Sequence, residues 1–274
     1  MREARAAPHR LMHEATVSLP AWLAAGDPQN PAVVMLHGAM MDMAMFEPLI
    51  AALQERFRVL AVDLPGHGRS AGLRFSKASC VDAVLKVLDR EQIESCHLIG
   101  QSMGGIVCQL LIRQRPELAQ SLTLIGSFPR SAPIYRFKAP VIWLVAALIR
   151  IAPAALSRRF AALSSGALPQ TRAYIEACLR RLKRQDMADI FAQSGRMLSA
   201  GPYPASAIPA LMIYGTRDMI TLGLNRYHAK RWASRLGIRA HRIARASHNA
   251  SMDRPDLVNA LILEHLQSRT GSGP

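Results

Sequence analysis

Acidic residues are scarce in this sequence, and aromatic residues are scarcer still. Its 274 residues include 19 Asp or Glu against 34 Lys or Arg, a formal net charge of +15 at pH 7, and only 5% are aromatic. This positive charge favours anionic partners, although it says nothing about the fold. Nucleic acid is not favoured as that partner, because the chain has no recognised binding motif and no basic patch interleaved with aromatic residues.

Cysteine is rare too, and its spacing matches neither a pair of redox cysteines nor a metal site. The chain has four, far apart: Cys80, Cys96, Cys108 and Cys178. Free cysteine is commonly buried, and disulfides are uncommon in reducing compartments. We therefore expect four reduced, buried thiols.

A long hydrophobic run is missing as well. Residues 1–11 are basic but no apolar run follows them, so no secretory signal is predicted and a cytoplasmic location is expected. Residues 139–156 come nearest to a membrane span, yet they include Arg150, Pro140 and Pro153. Since a spanning helix needs about 20 predominantly apolar residues, we predict that the protein is not transmembrane.

Hydrophobic residues make up 50% of the chain, which excludes disorder and allows a large buried core. Short apolar runs alternate with helical patterns along most of it. The apolar runs are 32–36, 58–62, 97–99, 122–125, 210–214 and 238–243, and the helical stretches are 45–55, 77–90, 103–113, 222–236 and 256–267. Apolar strands separated by helices are typical of a parallel sheet buried on both faces. The predicted fold class is α/β, with an open, mostly parallel sheet flanked by helices.

The alternation stops between residues 129 and 204, where prolines divide several helical stretches and no convincing strand is found. This pattern predicts a helical insertion laid over the sheet. Residues 129–204 contain twelve Lys or Arg and three acidic residues, a net charge of +9. We predict a core formed by residues 1–128 and 205–269, the insertion at 129–204, and a flexible tail at 270–274.

A G-x-S-x-G motif, from Gly100 to Gly104, lies between a predicted strand and a predicted helix. In that context the motif forms a nucleophile elbow, a tight turn that lifts a serine hydroxyl clear of the backbone. Glycines on both sides allow the turn without Cβ clashes. We predict that Ser102 is a nucleophile, the alternative being an ordinary serine N-cap on a glycine-rich turn.

A serine nucleophile needs a base, and the base needs a carboxylate that orients it. His248 lies between the last predicted strand and the last predicted helix, and Asp218 follows the strand at 210–214. Both positions lead to the carboxyl edge of the sheet. No acid follows the strand at 122–125, which strengthens the choice of Asp218. The alternatives are a loop histidine and an exposed turn aspartate.

Acyl transfer also requires N–H donors directed at the developing oxyanion. One predicted donor is the backbone N–H of Met103, directly after Ser102. The other is the N–H of Ala39, in the loop after the first predicted strand, where Gly38 allows close approach. We interpret the neighbouring His37 as structural. This chemistry implies no metal and no organic cofactor.

Over residues 32–267 the chain resembles the α/β-hydrolase fold superfamily. The motifs that carry the resemblance are His37-Gly38, the segment Asp63–Ser70, the serine motif Gly100–Gly105, and the pair Asp218 and His248. The chain order Ser, Asp, His is the one found in these hydrolases. The resemblance implies that the basic insertion is a helical lid after the sixth strand, which shapes the substrate pocket. It also implies that Asp63–Ser70 is a structural glycine loop that supports the oxyanion loop.

A serine at the elbow disfavours the dehalogenase and epoxide-hydrolase branches, which resemble this fold but use an Asp nucleophile. Carboxylesterases, enol-lactone hydrolases, carbon–carbon bond hydrolases and carrier-protein methyl-ester esterases all fit the remaining pattern. We expect a serine hydrolase that cleaves a small, largely apolar ester, lactone or thioester through an acyl-enzyme. The alternatives are a carbon–carbon bond hydrolase of ring-cleavage dienoates with the same residues, and a non-catalytic binding module that kept the fold.

Two stretches of the predicted lid have more than one interpretation. Residues 141–149 are apolar all round, which indicates either burial between lid helices or an apolar acyl pocket or membrane-facing patch. Residues 179–184 are basic and amphipathic. They form either a solvated helix face or a site of attraction for an anionic partner, such as acyl carrier protein, a CoA-like phosphate group or anionic lipid.

Overall fold

The computed structural model describes residues 10–12, 19–128, 139–197, 208–220 and 233–270. In these residues eight strands form one sheet: β1 (Arg10–Met12), β2 (Trp22–Ala25), β3 (Ala32–Leu36), β4 (Arg58–Val62), β5 (Cys96–Gln101), β6 (Ala119–Ile125), β7 (Ala210–Gly215) and β8 (Arg239–Ile243). The spatial order is β1-β2-β4-β3-β5-β6-β7-β8. Strands β3 to β8 pair in parallel, while β2 is antiparallel to β1 and β4. The prediction of a mostly parallel α/β sheet is confirmed.

The helices alternate with the strands, apart from one helical insertion. They are α1 (Glu47–Leu53), α2 (Lys77–Arg90), α3 (Met103–Gln114), α4 (Ala139–Ile151), α5 (Ala154–Ser165), α6 (Pro169–Arg180), α7 (Arg184–Met197), α8 (Ala250–Asp253) and α9 (Pro255–Thr270). Helix α2 has the predicted bounds, because Ser76 and Ser79 form a capping box in which each hydroxyl accepts the other's backbone N–H. The predicted helix at 222–236 lies mostly outside the described residues.

The central strands are buried on both faces, as a parallel sheet requires. In β3, Val34 and Leu36 belong to one hydrophobic cluster with residues of α2 and α3. Their neighbours Val33 and Met35 belong to a second cluster with residues of α1 and α9. Successive side chains of a strand point to opposite faces, so a continuous apolar run supplies both cores.

Strands β1 and β2 are absent from the sequence prediction. Residues Trp22–Ala25 are only four, with neither β-branched residues nor a polar alternation, so their pattern carries little strand signal. Pairing with β4 and the indole bond from Trp22 to Glu91, 2.9 Å long, hold β2 in place. These long-range contacts decide the conformation.

Helices α4 to α7 come between the sixth and seventh strands. In this helical insertion α4 packs on α7, and α5 packs on α6. The predicted insertion bounds, 129 and 204, lie in stretches outside the described residues, so the division into domains stays a prediction. Helix α9 ends at Thr270. The other residues of the predicted tail, 271–274, lie outside the described residues, so the tail also stays a prediction.

Two expectations about the chain as a whole can be compared with the structure. All four cysteines are buried free thiols, as expected. Burial raises the pKa of the Cys80 and Cys96 thiols to about 12, so both stay protonated at neutral pH. Among the residues that the structure describes, no helix combines the length and the apolar character needed to cross a bilayer.

Candidate active site

Ser102 lies in a sharp turn between β5 and α3, with φ 49° and ψ −111°. A positive φ is costly for a residue with a Cβ and persists only where the surroundings hold it. The Ser102 N–H donates to the carbonyl of Ile125 at 2.8 Å, and the Gly105 N–H donates to the Ser102 carbonyl at 3.1 Å. Both neighbours therefore fix the turn, and the geometry is that of a nucleophile elbow.

Two glycines of the motif permit close approach of the backbone. A Cβ on Gly104 would lie 1.9 Å from the Leu36 carbonyl oxygen at the end of β3. A Cβ on Gly100 would lie 2.4 Å from the Cα of Gly105. The elbow can pack against the sheet only because these positions lack side chains.

The three residues predicted to be catalytic lie in one hydrogen-bonded chain. The Ser102 Oγ is 2.9 Å from His248 Nε2, and His248 Nδ1 is 3.0 Å from Asp218 Oδ2. The side chain of Asp218 is 1% exposed and that of His248 is 8% exposed. An ionised carboxylate only accepts hydrogen bonds, so Nδ1 carries the proton. Nε2 is then free to accept the Ser102 hydroxyl proton.

The loops that carry Asp218 and His248 are bonded to each other. The Thr216 N–H donates to the Ile243 carbonyl at 3.0 Å, and the Arg217 N–H donates to the Ala246 carbonyl at 2.8 Å. These bonds extend the pairing of β7 and β8 beyond the sheet edge. They bring together two residues that are separated by 30 positions.

Of the two predicted oxyanion donors, Met103 directly follows Ser102, and Ala39 directly follows Gly38. Met103 is the first residue of α3, where backbone N–H groups have no partner inside the helix and favour negative charge. The loop that contains Ala39 comes close to Ser102, since a Cβ on Gly38 would lie 3.4 Å from the Ser102 Cβ. The role of both amides remains a prediction.

His37 joins the Ala39 loop to the glycine loop after β4. Its Nε2 accepts the Leu64 N–H at 2.9 Å and its Nδ1 donates to the Gly38 carbonyl at 2.8 Å, so the ring is the neutral Nδ1–H tautomer. Burial lowers its pKa from 6.5 to about 4. The buried Asp63 accepts the N–H groups of Met43 and Arg69 at 2.7 and 2.8 Å. Both residues thus have structural partners, in line with the interpretation from sequence.

Asp253 is a residue of this site that the sequence interpretation missed. It is 1% exposed, and its carboxylate accepts the N–H of Ser247 at 2.8 Å, directly before His248. The same carboxylate accepts the N–H groups of Ala167 and Leu168, in the turn between α5 and α6, at 3.0 and 3.1 Å. The only signal in the sequence is an acid five residues after His248, and its partners are backbone groups that no motif encodes.

Further bonds join the end of α5 to the same loop. The Asn249 N–H and side-chain amide both donate to the Ser165 carbonyl at 3.1 Å. The Ser247 hydroxyl donates to the Ser164 carbonyl, also at 3.1 Å. The helical insertion therefore holds the residues on both sides of His248.

Asp42 connects the insertion to the other side of the site, and it too was missed. The Tyr174 hydroxyl of α6 donates to its carboxylate at 2.6 Å, and Arg181 donates at 2.9 Å. Asp42 also caps the 3₁₀ turn at Met43–Phe46 through the Ala44 N–H. Part of the basic stretch 179–184 thus fastens the insertion to the Ala39 loop.

The described residues contain no group of three or more His, Cys, Asp or Glu side chains arranged to hold a metal ion. The chemistry that the site offers is that of a hydroxyl nucleophile, a neutral imidazole base and a carboxylate that fixes the imidazole tautomer.

Comparison with known proteins agrees with this geometry. Residues 33–261 match the model of the alpha/beta hydrolase family. A pimeloyl-[acyl-carrier protein] methyl ester esterase of Chromobacterium violaceum is 30% identical over 253 residues, which cover 88% of this chain and 96% of that protein. The protein of the same name from Aeromonas hydrophila is 39% identical over 104 residues, but the match spans only 37% of this chain and 39% of that protein.

Among solved structures, the enol-lactonase from Burkholderia xenovorans LB400 superposes with a TM-score of 0.75 over 90% of this chain and 95% of that chain. At 21% identity this likeness shows the fold alone. The family match, in contrast, covers most of the sequence and includes Ser102, Asp218 and His248. The chain belongs to the alpha/beta hydrolase family and is a hydrolase.

Proposed function

We propose that this protein cleaves a carboxylic ester through an acyl-enzyme on Ser102. The observation that carries the proposal is the chain of two hydrogen bonds from Ser102 Oγ through His248 to the buried carboxylate of Asp218. An activated serine requires a neutral imidazole within hydrogen-bond distance of its hydroxyl. Here the hydroxyl belongs to a serine in a strained turn. The esterase names of the relatives support the same bond type.

In the acylation step, Ser102 Oγ attacks the ester carbonyl carbon while His248 Nε2 takes the hydroxyl proton. The backbone N–H groups of Ala39 and Met103 stabilise the resulting oxyanion, a contribution of about 2.7–4 kcal/mol for each donor. The tetrahedral intermediate collapses, its carbon–oxygen bond to the leaving alcohol breaks, and His248 gives its proton to that alcohol. Asp218 stabilises the imidazolium throughout.

Deacylation repeats these steps with water. His248 takes a proton from the water molecule as its oxygen attacks the acyl carbon, and the bond to Ser102 Oγ breaks. The proton returns to Ser102, and the carboxylic acid leaves. The cycle regenerates the starting protonation states and consumes one water for each ester bond.

We further propose that the acyl group is small and largely apolar, and that it is delivered on an anionic carrier. Two observations support this: the relatives are named for an ester attached to acyl carrier protein, and the insertion is strongly basic. A CoA-like phosphate group is also negatively charged, so it fits the basic insertion as well as acyl carrier protein does. The helical insertion acts as the lid of the pocket, and the reaction takes place in the cytoplasm.

The test compares wild type with Ser102→Ala. We expect a fluorophosphonate probe to label only the wild type, and p-nitrophenyl esters of increasing acyl length to reveal the pocket depth. A methyl ester of an acyl chain on acyl carrier protein is then compared with the free acyl methyl ester. Equal kcat/KM for the two substrates would contradict the proposal that the acyl group is delivered on a carrier. Labelling without ester turnover, but with cleavage of a dienoate, would establish the carbon–carbon alternative.

A further inference from the structure

Two helices of the helical insertion each carry a row of exposed apolar side chains. In α4, Leu144, Leu148 and Ile151 lie at i, i+4 and i+7, one stripe along the helix. All three side chains are between 49% and 75% exposed. One of the two interpretations of this stretch, burial between lid helices, is therefore wrong for this face.

The next helix repeats the arrangement. In α5, Leu156, Phe160 and Leu163 have the same spacing and are between 47% and 66% exposed. Ile151 ends the first stripe, and Leu156 begins the second five residues later. Single exposed hydrophobic residues are normal, but two consecutive stripes indicate a binding surface. The six side chains are here named the α4–α5 apolar surface.

Arginines accompany this surface. Arg159 of α5 is exposed and stands three positions after Leu156 and four before Leu163, the spacing of side chains that share one helix face. Arg196 of α7 lies over the ring of Trp143, 5.2 Å from its centroid, and Trp143 is itself half exposed. Apolar side chains that include tryptophan and phenylalanine, bordered by arginine, are typical of helices that lie in the interface of a bilayer.

Charge distinguishes between the occupants of such a surface. A second copy of this chain brings a further net charge of +15, which opposes self-association. An acidic carrier protein would match the charge, but it offers no apolar phase for six half-exposed side chains. An anionic bilayer supplies both the apolar phase and the opposite charge.

We propose that the two stripes of the α4–α5 apolar surface face the same side and dock the protein on anionic phospholipid bilayers, with Leu144, Leu148, Ile151, Leu156, Phe160 and Leu163 inserted at the level of the acyl chains and arginines at the headgroups. Docking is peripheral, because the inserted face is one side of two short helices. It brings the helical insertion to the membrane without involving Ser102.

The experiment measures co-sedimentation of the full chain with phosphatidylcholine vesicles that contain or lack 30% phosphatidylglycerol. We expect binding to the anionic vesicles, weakening as salt rises, with a blue shift in the emission of Trp143 that is lost in Trp143→Phe. The variant Leu144→Ser/Leu148→Ser/Ile151→Ser should lower the partition coefficient on the order of tenfold or more. Arg159→Gln should reduce the dependence on phosphatidylglycerol.

The matched control is Leu257→Ser, which removes an equally exposed leucine (45%) from α9, outside the surface. It should bind vesicles like the wild type. Ser102→Ala should also bind, so failure of the proposed esterase activity and failure of docking are separable. Absence of vesicle binding, or binding unchanged in the triple serine variant, would overturn the proposal. So would a dimer in solution that the triple variant dissociates, since the surface would then be a subunit interface.

Discussion

The carboxylate of Asp253 accepts the backbone N–H of Ser247 at 2.8 Å, and so it fixes the residue directly before His248. Its other bonds reach Ala167 and Leu168 in the helical insertion. One buried side chain thus joins the loop that carries the proposed base to the turn that covers it. Because the bonds go to backbone groups, they restrain the position of the loop rather than its charge.

Replacing Asp253 with Asn should misplace His248. An amide has one accepting oxygen, so at least one of the three N–H groups loses its partner, and an unsatisfied buried donor costs about 1–3 kcal/mol of folding stability. We expect kcat to fall about tenfold or more, with little change in KM, because substrate contacts are not altered. The measurement is steady-state ester turnover alongside urea unfolding. Asp256→Asn, at an exposed acid in the next helix, α9, is the control and should match wild type.

Asp218→Asn tests the tautomer of the proposed base. An amide NH₂ facing Nδ1 would favour the tautomer with the proton on Nε2, which cannot accept a proton from Ser102. A fall in kcat of about 10⁴ is expected, since this is the cost of the same change in a characterised serine protease. Rates of fluorophosphonate labelling should fall in parallel, while the thermal midpoint changes by only a few degrees. Labelling at the wild-type rate would exclude Asp218 from the proposed role.

Gly104→Ala tests the packing of the elbow. The added methyl would lie 1.9 Å from the Leu36 carbonyl oxygen. All of its nearest neighbours are backbone atoms, which cannot move aside as a flexible side chain could. Overpacking of this kind costs about 1–3 kcal/mol or more, so we expect a lower free energy of unfolding and loss of ester turnover. Gly72→Ala is the matched control, because a Cβ there meets no atom within 4 Å. An unchanged unfolding midpoint in Gly104→Ala would contradict the packing argument.

Three buried histidines should make the protein sensitive to mild acid. Burial lowers the pKa of His37 and His97 to about 4 and that of His67 to about 3, from an ordinary value of 6.5. Above pH 6.5 these groups are neutral in both the folded and the unfolded chain. Below pH 6.5 these histidines become protonated in the unfolded chain but stay neutral in the folded chain. The free energy of unfolding therefore falls as pH falls from about 6.5 towards 4.

The expected loss is at most about 2 kcal/mol for each histidine at pH 5, and the raised pKa of Asp63 offsets part of it. The measurement is the free energy of unfolding in urea at pH 8 and pH 5. His97→Gln should remove one contribution and reduce the difference between the two values. Equal stabilities at pH 8 and pH 5 would show that these rings are not held neutral.

The sheet and the proposed catalytic residues were largely predictable from sequence, and for a local reason. Apolar runs flanked by helices define parallel strands. Ser102 follows directly after one such strand, and Asp218 and His248 lie in the loops that follow two others. The carboxyl ends of parallel strands share one edge, so chain order alone brings these residues together.

What could not be predicted depends on contacts between distant segments. Asp42 and Asp253 act on backbone N–H groups and on side chains up to 139 positions away, and their own neighbours in sequence give no sign of it. The spacing of apolar residues in α4 predicts a helix. It does not predict which face of that helix is covered by another helix. Only the packing of α4 on α7 decides which leucines remain in solvent.

The shared bonds between the α5–α6 turn and the His248 loop also restrict how this enzyme could be re-engineered. An insertion transplanted from another hydrolase would move the backbone groups that bind Asp253 and Asn249. The Asp253 carboxylate and the Asn249 amide would then lack hydrogen-bond partners close to the proposed base. A working chimera must therefore take residues 164–168 and residues 247–253 from the same parent protein.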